Sequence, residues 1–394
     1  MNRTNEICPR PDPVPPSRTV PHANPIYLTS VWSCESPAEA DAILGGQMPG
    51  YVYQRDANPN SDLLAAKCRE LHAAEQAILT SSGMSAMATV VLSQLAPGDH
   101  LLLSRHLYGK TTQLMGHECA RWGVDHARVD TTKLDAVAAA ITPRTRLLVV
   151  ETIANPRLQV ADLEQLASLC RQHGVKLLVD NTFATPHLCR PLEWGADFVM
   201  ESVSKMMNGH SDVMLGLLCG RSADWSRVHQ TVSTWGLASS PFEAWLSMRG
   251  LATLAVRMDR ACDNAMAVAK SLMQSKQIAS VDYPGLPQHP QHGLARSQFE
   301  DRFGSIVTIH LRGGRKAADA FIAAARGIPF CPSLGEVSTT LSHPESTSHR
   351  GLTPDARKEL GIDGGTIRLS VGIEAFPQIE QHLQEALGAI DSCV

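Results

Sequence analysis

The sequence predicts an α/β protein with a mostly parallel central sheet, helices on both faces of that sheet, and a smaller C-terminal α+β domain. From Ala77 onward, short apolar runs alternate with stretches of helical periodicity, a pattern typical of a parallel sheet covered on two faces. The chain has 394 residues, more than one hydrophobic core usually serves. A further mixed set of helix and strand patterns after Pro241 therefore indicates a second domain.

Residues 1–60 are predicted to form an extended arm rather than a domain. The segment is rich in turn-forming residues and poor in periodicity. Its prolines cluster at Pro9, Pro11, Pro13, Pro15 and Pro16. Because such an arm has no core of its own, we expect it to lie on another surface.

The central α/β domain is predicted to span residues 61–255. Helices fit between its apolar runs, for example at Leu163–Arg171. The predicted strands are Ala77–Thr80, His100–Leu103, Val124–Val129, Arg146–Val150, Val175–Val179 and Phe198–Met200.

The C-terminal α+β domain is predicted to span residues 256–394. A helical pattern begins near Pro241 and repeats apolar residues at three- and four-residue steps to Ala269, so it should carry the chain into this domain. The remaining predicted elements are a strand at Ile306–Leu311, a helix at Arg315–Ala325, a strand at Thr366–Val371 and a terminal helix from Pro377.

The composition argues against several classes of function. The formal net charge is −4 and the charges are interspersed, so no nucleic-acid partner is predicted. The 10 cysteines include no C-x-x-C pair, and we predict neither a metal site nor a disulfide framework. No apolar stretch approaches membrane-spanning length. A cytoplasmic protein without a membrane partner is the expectation.

Two residues carry the strongest chemical signal. Asp180 ends an apolar run that begins at Lys176, which places it at the carboxyl edge of the sheet, where α/β proteins bind ligands. Lys205 follows the next predicted strand. A lysine amine that can form an imine, together with a carboxylate that keeps a pyridine nitrogen protonated, is what a pyridoxal phosphate enzyme requires. The alternatives are a turn aspartate and a solvated surface lysine.

A phosphate site is predicted where the first strand meets its helix. The segment Ser81–Ala86 contains Gly83 and Met84 at a helix start, where free backbone N–H groups can bind an anion. Ser202 and Ser204 flank the lysine motif and could donate to the same phosphate. An ordinary strand-to-helix turn is the alternative.

Three other residues lie at strand ends or inside a strand. Tyr108 could stack on a planar pyridine ring, and the amide of Asn155 could donate to a phenolate oxygen. Arg368 is a charge inside an apolar strand, where it needs a carboxylate partner that an amino-acid substrate could supply. A buried structural tyrosine and a turn asparagine are the alternatives for the first two.

Over nearly its whole length the sequence resembles the Cys/Met-metabolism enzymes that use pyridoxal phosphate, the group of cystathionine γ-synthases and γ-lyases. The matching motifs are Pro25–Ser30, Tyr53–Arg55, Asn58–Pro59, Ser82–Met84, Tyr108–Gly109, Asn155–Pro156, Val179–Thr182, Ser204–Lys205, Asn208–Asp212, Tyr283–Leu286, Ser333–Gly335, His343–Pro344 and Arg368–Gly372.

The resemblance implies a type I fold, like that of aspartate aminotransferase, and a set of roles. Lys205 would bind the cofactor covalently, Asp180 would face its ring nitrogen, and Tyr108 would stack on the ring and act as a second proton carrier. The phosphate would be held by Gly83, Met84, Ser202 and Ser204, with Tyr53 and Arg55 from a neighbouring subunit. A homo-oligomer, at least a dimer and typically a tetramer, is therefore implied. The predicted substrate contacts are Arg368, Ser333, Ser338, Thr339 and Lys110.

The sequence departs from the family pattern at positions that bear on the substrate. Lys110 stands where many relatives have glycine and methionine γ-lyases have cysteine, and it could favour an anionic substrate side chain; a solvent-facing lysine is the alternative. Ser338 and Thr339 occupy positions where relatives often have Glu-Ser. The resulting hypothesis is γ-elimination or γ-replacement of the cystathionine γ-lyase or γ-synthase type.

An O-acetylhomoserine or O-succinylhomoserine sulfhydrylase ranks second, because His343–His349 resembles its pattern as well. Methionine γ-lyase, cystathionine β-lyase and a non-catalytic relative rank below these two.

Overall fold

The central part of the fold is a seven-stranded sheet. A computed structural model describes residues 18–391 of the chain, so the predicted proline cluster at Pro9–Pro16 lies outside the described residues. The strands are β1 (Gln76–Thr80), β2 (His100–Ser104), β3 (Asp125–Val129), β4 (Thr145–Glu151), β5 (Lys176–Asp180), β6 (Phe198–Ser202) and β7 (Gly216–Gly220). Their order across the sheet is β1-β7-β6-β5-β4-β2-β3. The predicted α/β class is confirmed.

One strand of this sheet was not expected from the sequence. Strand β7 runs antiparallel to both β1 and β6, while the other neighbouring pairs are parallel. It begins and ends with Gly216 and Gly220, and glycine is depleted in strands. Gly216 is required by packing, because a Cβ there would lie 2.1 Å from the carbonyl oxygen of Ser82.

Two apolar layers cover the sheet. Along β4, Leu147 and Val149 contribute to the core on one face, and Leu148 and Val150 to the core on the other, as the two-residue period of a strand requires. The helices that form these layers are α2 (Pro59–Leu71), α3 (Gly83–Gln94), α4 (Gly109–Gln113), α5 (Leu134–Ala140), α6 (Leu163–Gln172), α7 (Thr185–Leu188) and α8 (Val228–Trp235). Helix α4 continues through a π-helical turn, Leu114–Glu118, into Cys119–Arg121.

The described part of the N-terminal arm is not wholly extended. It contains helix α1 (Pro37–Leu44), whose N-cap Ser36 accepts a hydrogen bond from the Glu39 N–H. Downstream, the arm folds back on itself through an antiparallel bridge between Val31 and Tyr53. The prediction of an extended arm rather than a domain did not include this helix, although a capping serine followed by proline is a recognisable helix start.

The continuous helix expected from Pro241 is two helices, α9 (Pro241–Leu251) and α10 (Leu254–Leu272). The guanidinium of Arg257 donates to the Gly250 carbonyl, and a Cβ at Gly250 would lie 2.3 Å from the carbonyl oxygen of Asn208. The lysine-bearing turn therefore packs directly against the junction. The predicted domain boundary after residue 255 falls in the first turn of α10.

The C-terminal region forms a second, four-stranded antiparallel sheet in the order β10-β11-β9-β8. Its strands are β8 (Ile278–Asp282), β9 (Ile306–Leu311), β10 (Thr340–Ser342) and β11 (Thr366–Ser370). The helices of this region are α11 (His292–Gln298), α12 (Gly314–Ala324), α13 (Pro354–Glu359) and α14 (Phe376–Asp391). Strands β8 and β10 are short and were not predicted.

Across residues 18–391, none of the helices combines the length and apolar character that a membrane span requires. The same residues contain no group of three or more His, Cys, Asp or Glu side chains that could hold a metal ion.

Candidate active site

The carboxyl ends of three adjacent parallel strands lie side by side. Glu151 at the end of β4 pairs in register with Asp180 at the end of β5, and Asp180 pairs with Met200 in β6, two residues before Ser202. Parallel strands bring their C-terminal residues to one edge of a sheet. The predicted residues at these strand ends are therefore neighbours in the fold.

Asp180 is linked to the end of β6 through Thr182. Its Oδ1 accepts hydrogen bonds from the Thr182 N–H at 3.0 Å and from the Thr182 hydroxyl, and that hydroxyl accepts the N–H of Ser202 at 2.9 Å. Burial raises the pKa of Asp180 above its ordinary value, against the Thr182 hydrogen bonds that lower it. Pairing with a cation at its other oxygen would offset that burial.

Lys205 lies in the turn after β6 and is half-buried. Its Nζ donates to the Ser333 hydroxyl at 2.9 Å, a contact between residues 128 positions apart. Burial, with a smaller contribution from the charge of Arg368, lowers the pKa of the Lys205 amine. A lysine amine with a lowered pKa is a better nucleophile at neutral pH.

Arg368 comes from the second sheet and is 3 % exposed. Its Nη1 donates to Asn155 Oδ1 and its Nη2 to the Ser333 carbonyl, each at 2.9 Å. Its Nε has no hydrogen-bond partner within residues 18–391. Burial lowers the pKa of Arg368 to about 10, so the group remains cationic at neutral pH. A fixed, incompletely paired cation is suited to a carboxylate ligand.

The N-terminus of helix α3 lies against the end of β6. Ser82 caps the helix, and its side chain accepts the Ser85 N–H. The N–H groups of Gly83 and Met84 lie in the first turn, where no helical carbonyl precedes them to accept a hydrogen bond, so they are available to an anion. A Cβ at Gly83 would lie 3.0 Å from Ser202 Cβ. The glycine therefore keeps a narrow space open between the helix start and this serine.

Ser204 makes local contacts. Its hydroxyl accepts the Leu215 N–H at 3.0 Å and lies 3.3 Å from the Leu215 carbonyl. The hydroxyl thus connects the lysine turn to the segment before β7, and its phosphate contact stays a prediction.

Tyr108 lies at the start of helix α4, at the same sheet edge, with 36 % of its surface exposed. Its backbone N–H donates to the Glu151 carboxylate. Lys110, in the first turn of α4, is exposed and donates to Gln113 Oε1 at 3.0 Å. Both side chains are accessible to solvent.

Tyr53 and Arg55 lie on the arm, where the Arg55 guanidinium packs 4.7 Å from the centre of the Tyr53 ring. Within the described part of the chain, no hydrogen bond joins either residue to Lys205 or Asp180. The phosphate contacts of Tyr53 and Arg55, from a neighbouring subunit, stay predictions.

Thr339 is buried, and both its N–H and its hydroxyl donate to the Glu374 carboxylate. Ser338 is half-buried beside it. The Thr339 hydroxyl also accepts the Gly372 N–H at 3.0 Å, so this residue organises the loop after β11. Substrate contacts of Ser338 and Thr339 stay predictions.

The cluster fits pyridoxal phosphate. It offers an amine, a buried carboxylate, an amide donor and a helix N-terminus kept open by glycine, all at one sheet edge. Two contributors were not singled out from the sequence, Thr182 and Glu151. The Asp-x-Thr spacing is a signal for Thr182, because a threonine two residues after aspartate commonly bonds to its carboxylate.

Comparisons with known proteins agree with this chemistry. Residues 11–388 match the sequence model of the family described as Cys/Met metabolism PLP-dependent enzyme. The chain is 37 % identical to an L-methionine γ-lyase of Pseudomonas putida, over 93 % of this chain and 92 % of that one. It is 38 % identical to an O-succinylhomoserine sulfhydrylase of Pseudomonas aeruginosa, over 94 % and 91 % of the two chains. It is 39 % identical to a cystathionine γ-synthase of Mycobacterium tuberculosis, over 96 % and 94 %.

Solved structures have the same architecture. A cystathionine γ-synthase from Xanthomonas oryzae, in complex with aminoacrylate and cysteine, superposes with a TM-score of 0.90 at 33 % identity, over 94 % of each chain. A structure from Campylobacter jejuni, described as an O-acetylhomoserine (thiol)-lyase and containing a pyridoxyl-lysine, gives a TM-score of 0.90 at 27 % identity, over 93 % of this chain and 95 % of that one.

Proposed function

The chain belongs to the family of Cys/Met metabolism PLP-dependent enzymes, and on that premise we propose that it catalyses γ-elimination or γ-replacement on a sulfur amino acid or an activated homoserine. The proposed type is that of a cystathionine γ-synthase or γ-lyase. Membership makes the protein an enzyme that uses pyridoxal 5′-phosphate and acts on a small amino-acid substrate. The direction of the reaction, elimination or replacement, and the exact substrate are what we propose.

The observation that carries the proposal is the contact of both Lys205 and Arg368 with Ser333. The lysine amine donates to the Ser333 hydroxyl, and the guanidinium donates to the Ser333 carbonyl. An amino acid whose α-carboxylate pairs with Arg368 would therefore present its α-carbon near the Lys205 amine. This is the arrangement that removal of an α-proton requires.

Each of these residues is proposed to have a separate role. When bound, the cofactor supplies a protonated ring that takes up electron density from the substrate α-carbon. Asp180 holds the proton at the pyridine nitrogen, and Arg368 orients the substrate carboxylate. The Lys205 amine would take a proton from Cα, give that proton up to the bound cofactor, and so be free to take a second proton from Cβ, after which the substituent at Cγ could leave. The Tyr108 hydroxyl is accessible and is proposed to give a proton to that leaving group.

Lys110 bears on the substrate. It adds an exposed cation two residues after Tyr108, and an exposed cation favours anionic groups. This supports a substrate with a second carboxylate, such as O-succinylhomoserine or cystathionine. For that reason an O-succinylhomoserine sulfhydrylase is the second candidate. The identities of 37–39 % to these relatives are too similar to decide between the relatives' activities.

We further propose that the active site is completed by another copy of this chain. Tyr53 and Arg55 are exposed on an arm that also carries the exposed apolar side chains Ile26, Leu28 and Val31. Association of two copies would cover this apolar surface. Residues 61–255 and 256–394 would be the cofactor and C-terminal domains, and the cytoplasm remains the predicted location.

A substrate panel tests the activity. Purified holoenzyme is offered cystathionine or methionine alone, and O-succinylhomoserine or O-acetylhomoserine with cysteine or sulfide. We expect 2-oxobutanoate from cystathionine, or a new thioether or thiol from an acylhomoserine, with the succinyl ester preferred over the acetyl ester. Lys205→Ala is the control and should release no product. Pyruvate release from cystathionine, or no turnover of any of these compounds, would contradict the proposal.

A further inference from the structure

Glu151 is a buried carboxylate for which the reaction described above has no use. It ends β4 with 7 % of its surface exposed, in register with the cofactor-facing Asp180. A carboxylate is costly to bury unless hydrogen bonds satisfy its oxygens. Two carboxylates at neighbouring strand ends add to that cost, because like charges repel. A buried group that is this unfavourable needs a compensating role or compensating partners.

The partners are two backbone N–H groups from different loops. Glu151 Oε1 accepts the N–H of Tyr108, 43 positions away, and Oε2 accepts the N–H of Asn155 at 2.9 Å. Both of its oxygens are thus used as acceptors. The side chain ties the loop after β2 to the loop after β4.

Both donors belong to predicted cofactor contacts. The Asn155 Oδ1 accepts a hydrogen bond from Arg368 Nη1, which directs the oxygen of this amide toward the guanidinium and leaves its Nδ2 as the donor toward a ligand. Tyr108 starts helix α4 without a side-chain cap. Its carbonyl accepts the Thr112 N–H within the helix, and the Glu151 bond is what ties its N–H to the end of β4. A shift of either loop would misplace a group whose action depends on sub-ångström placement.

We propose that Glu151 is a positioning residue, which fixes the ring of Tyr108 and the amide of Asn155 relative to the cofactor without contacting substrate. The inference rests on the proposed function only through the roles assigned to Tyr108 and Asn155. It extends that function by one residue, which acts through its hydrogen bonds to the backbone N–H groups of Tyr108 and Asn155.

The substitution that tests it is Glu151→Gln, which keeps the shape but turns one acceptor oxygen into an NH2 group facing an N–H. We expect the backbone amides of Tyr108 and Asn155 to exchange hydrogen faster, measured by mass spectrometry of the protein with and without cofactor. We expect the visible band of the bound cofactor to titrate at a higher pH, by ~0.5 unit or more, because a misplaced Asn155 stabilises the phenolate less. We expect kcat to fall ~10-fold or more while KM changes by less than ~3-fold.

Asp99→Asn is the matched control. Asp99 Oδ2 also accepts a backbone N–H, that of Ala96 at 2.8 Å, but it lies just before β2, at the opposite edge of the sheet. Its loss should leave the spectrum, kcat and the two amides as in the wild type. A Glu151→Gln protein with wild-type amide exchange and a wild-type cofactor titration would overturn the proposal.

A measurement on the wild-type protein tests the proposal even if the Glu151→Gln variant does not fold. If Glu151 holds these loops, the amides of Tyr108 and Asn155 are protected from exchange even without cofactor, and rapid exchange of both would overturn the proposal. These readouts follow the cofactor and the loops rather than any particular substrate. A wild-type enzyme that binds the cofactor but turns over no γ-substituted amino acid would therefore refute the proposed function and leave the Glu151 test intact.

Discussion

Lys205 differs from a surface lysine in its burial and in the cation that faces it. Burial and Arg368 both lower the pKa of its amine, so the unprotonated amine is populated at a lower pH than in an ordinary lysine, whose pKa is ~10.4. This lowering of the pKa favours the chemistry, because only the unprotonated amine attacks an aldehyde. Ser333 accepts a hydrogen bond from either protonation state and fixes the direction of the amine.

The pKa of Lys205 gives a prediction at the residue scale. The rate at which cofactor-free protein takes up pyridoxal phosphate should rise with pH, with a midpoint below ~10.4. Arg368→Gln removes the facing cation and should move this midpoint upward. Stopped-flow absorbance of the visible band measures the rate across pH. A midpoint at or above the ordinary value, or one that is unchanged in Arg368→Gln, would show that the amine is not depressed in this way.

The individual site residues differ in how far the sequence could predict them. Asp180, Lys205 and Gly83 follow or precede apolar runs, and the chemistry of those residue types suggested their roles. Glu151 gave no such signal, because its partners are the backbone N–H groups of Tyr108 and Asn155. Every residue except proline has such a group, so residue type does not reveal these contacts. Only the folded backbone shows which N–H groups converge on one carboxylate.

At the scale of elements, strand β7 contributes to the shape of the predicted phosphate site. Its first residue, Gly216, pairs with Thr80 at the end of β1 and with Ser202 at the end of β6. It therefore lies between the ends of β1 and β6, next to the residues that lead into helix α3. The missing side chain at Gly216 lets Ser82 approach and cap the helix.

Gly216→Ala is the corresponding test. The new Cβ would meet the Ser82 carbonyl oxygen at 2.1 Å, so the backbone at the helix start must shift, and we expect the Kd for pyridoxal phosphate to rise ~10-fold or more. Titration of the cofactor-free protein, followed by absorbance, measures Kd. Gly293→Ala is the control, because a Cβ there meets no atom within 4 Å. An unchanged Kd in Gly216→Ala would show that this contact does not shape the site.

The elements themselves were predicted unevenly. Strands of the parallel sheet were recognised by continuous apolar runs such as Leu147–Val150, because both faces of such a strand are buried. In β7 the apolar run is interrupted and bounded by glycine, at Gly216 and Gly220, and the short β10 contains only one apolar residue, Leu341. The break between α9 and α10 was also missed. There, Gly250 packs against Asn208, which is distant in sequence, and its carbonyl accepts a hydrogen bond from Arg257 in α10.

At the scale of the whole molecule, the position of the arm bears on the proposal that two copies of the chain share an active site. Asn60 fixes the first part of the described arm, because its amide Nδ2 donates to the Pro25 carbonyl and its Oδ1 accepts the Tyr27 N–H, each at 2.7 Å. The arm is thus tied to helix α2 rather than free. Tyr53 and Arg55 remain at its surface, where a second copy of the chain could receive them.

Mixing two inactive variants tests the shared site. Lys205→Ala lacks the amine, and Arg55→Ala lacks the proposed phosphate contact. If Arg55 serves the neighbouring chain, a hybrid pair contains one site in which both residues are native, so an equal mixture should recover ~25 % of wild-type activity after dissociation and reassociation. Activity is measured before and after mixing, with each variant alone as the control. No recovery in a mixture shown to contain hybrids would place Arg55 in its own chain's site or outside any site.

The sequence by itself determined the class of fold and the chemical groups of the site. Buried parallel strands require continuous apolar runs, and cofactor chemistry requires particular residue types at the ends of those strands, so both leave local patterns. The tertiary structure decided which of these groups meet. The hydrogen bond between Arg368 and Asn155 joins residues 213 positions apart, and the Glu151 carboxylate gathers two loops. Such contacts depend on the path of the chain through space, for which neighbouring residues carry no signal.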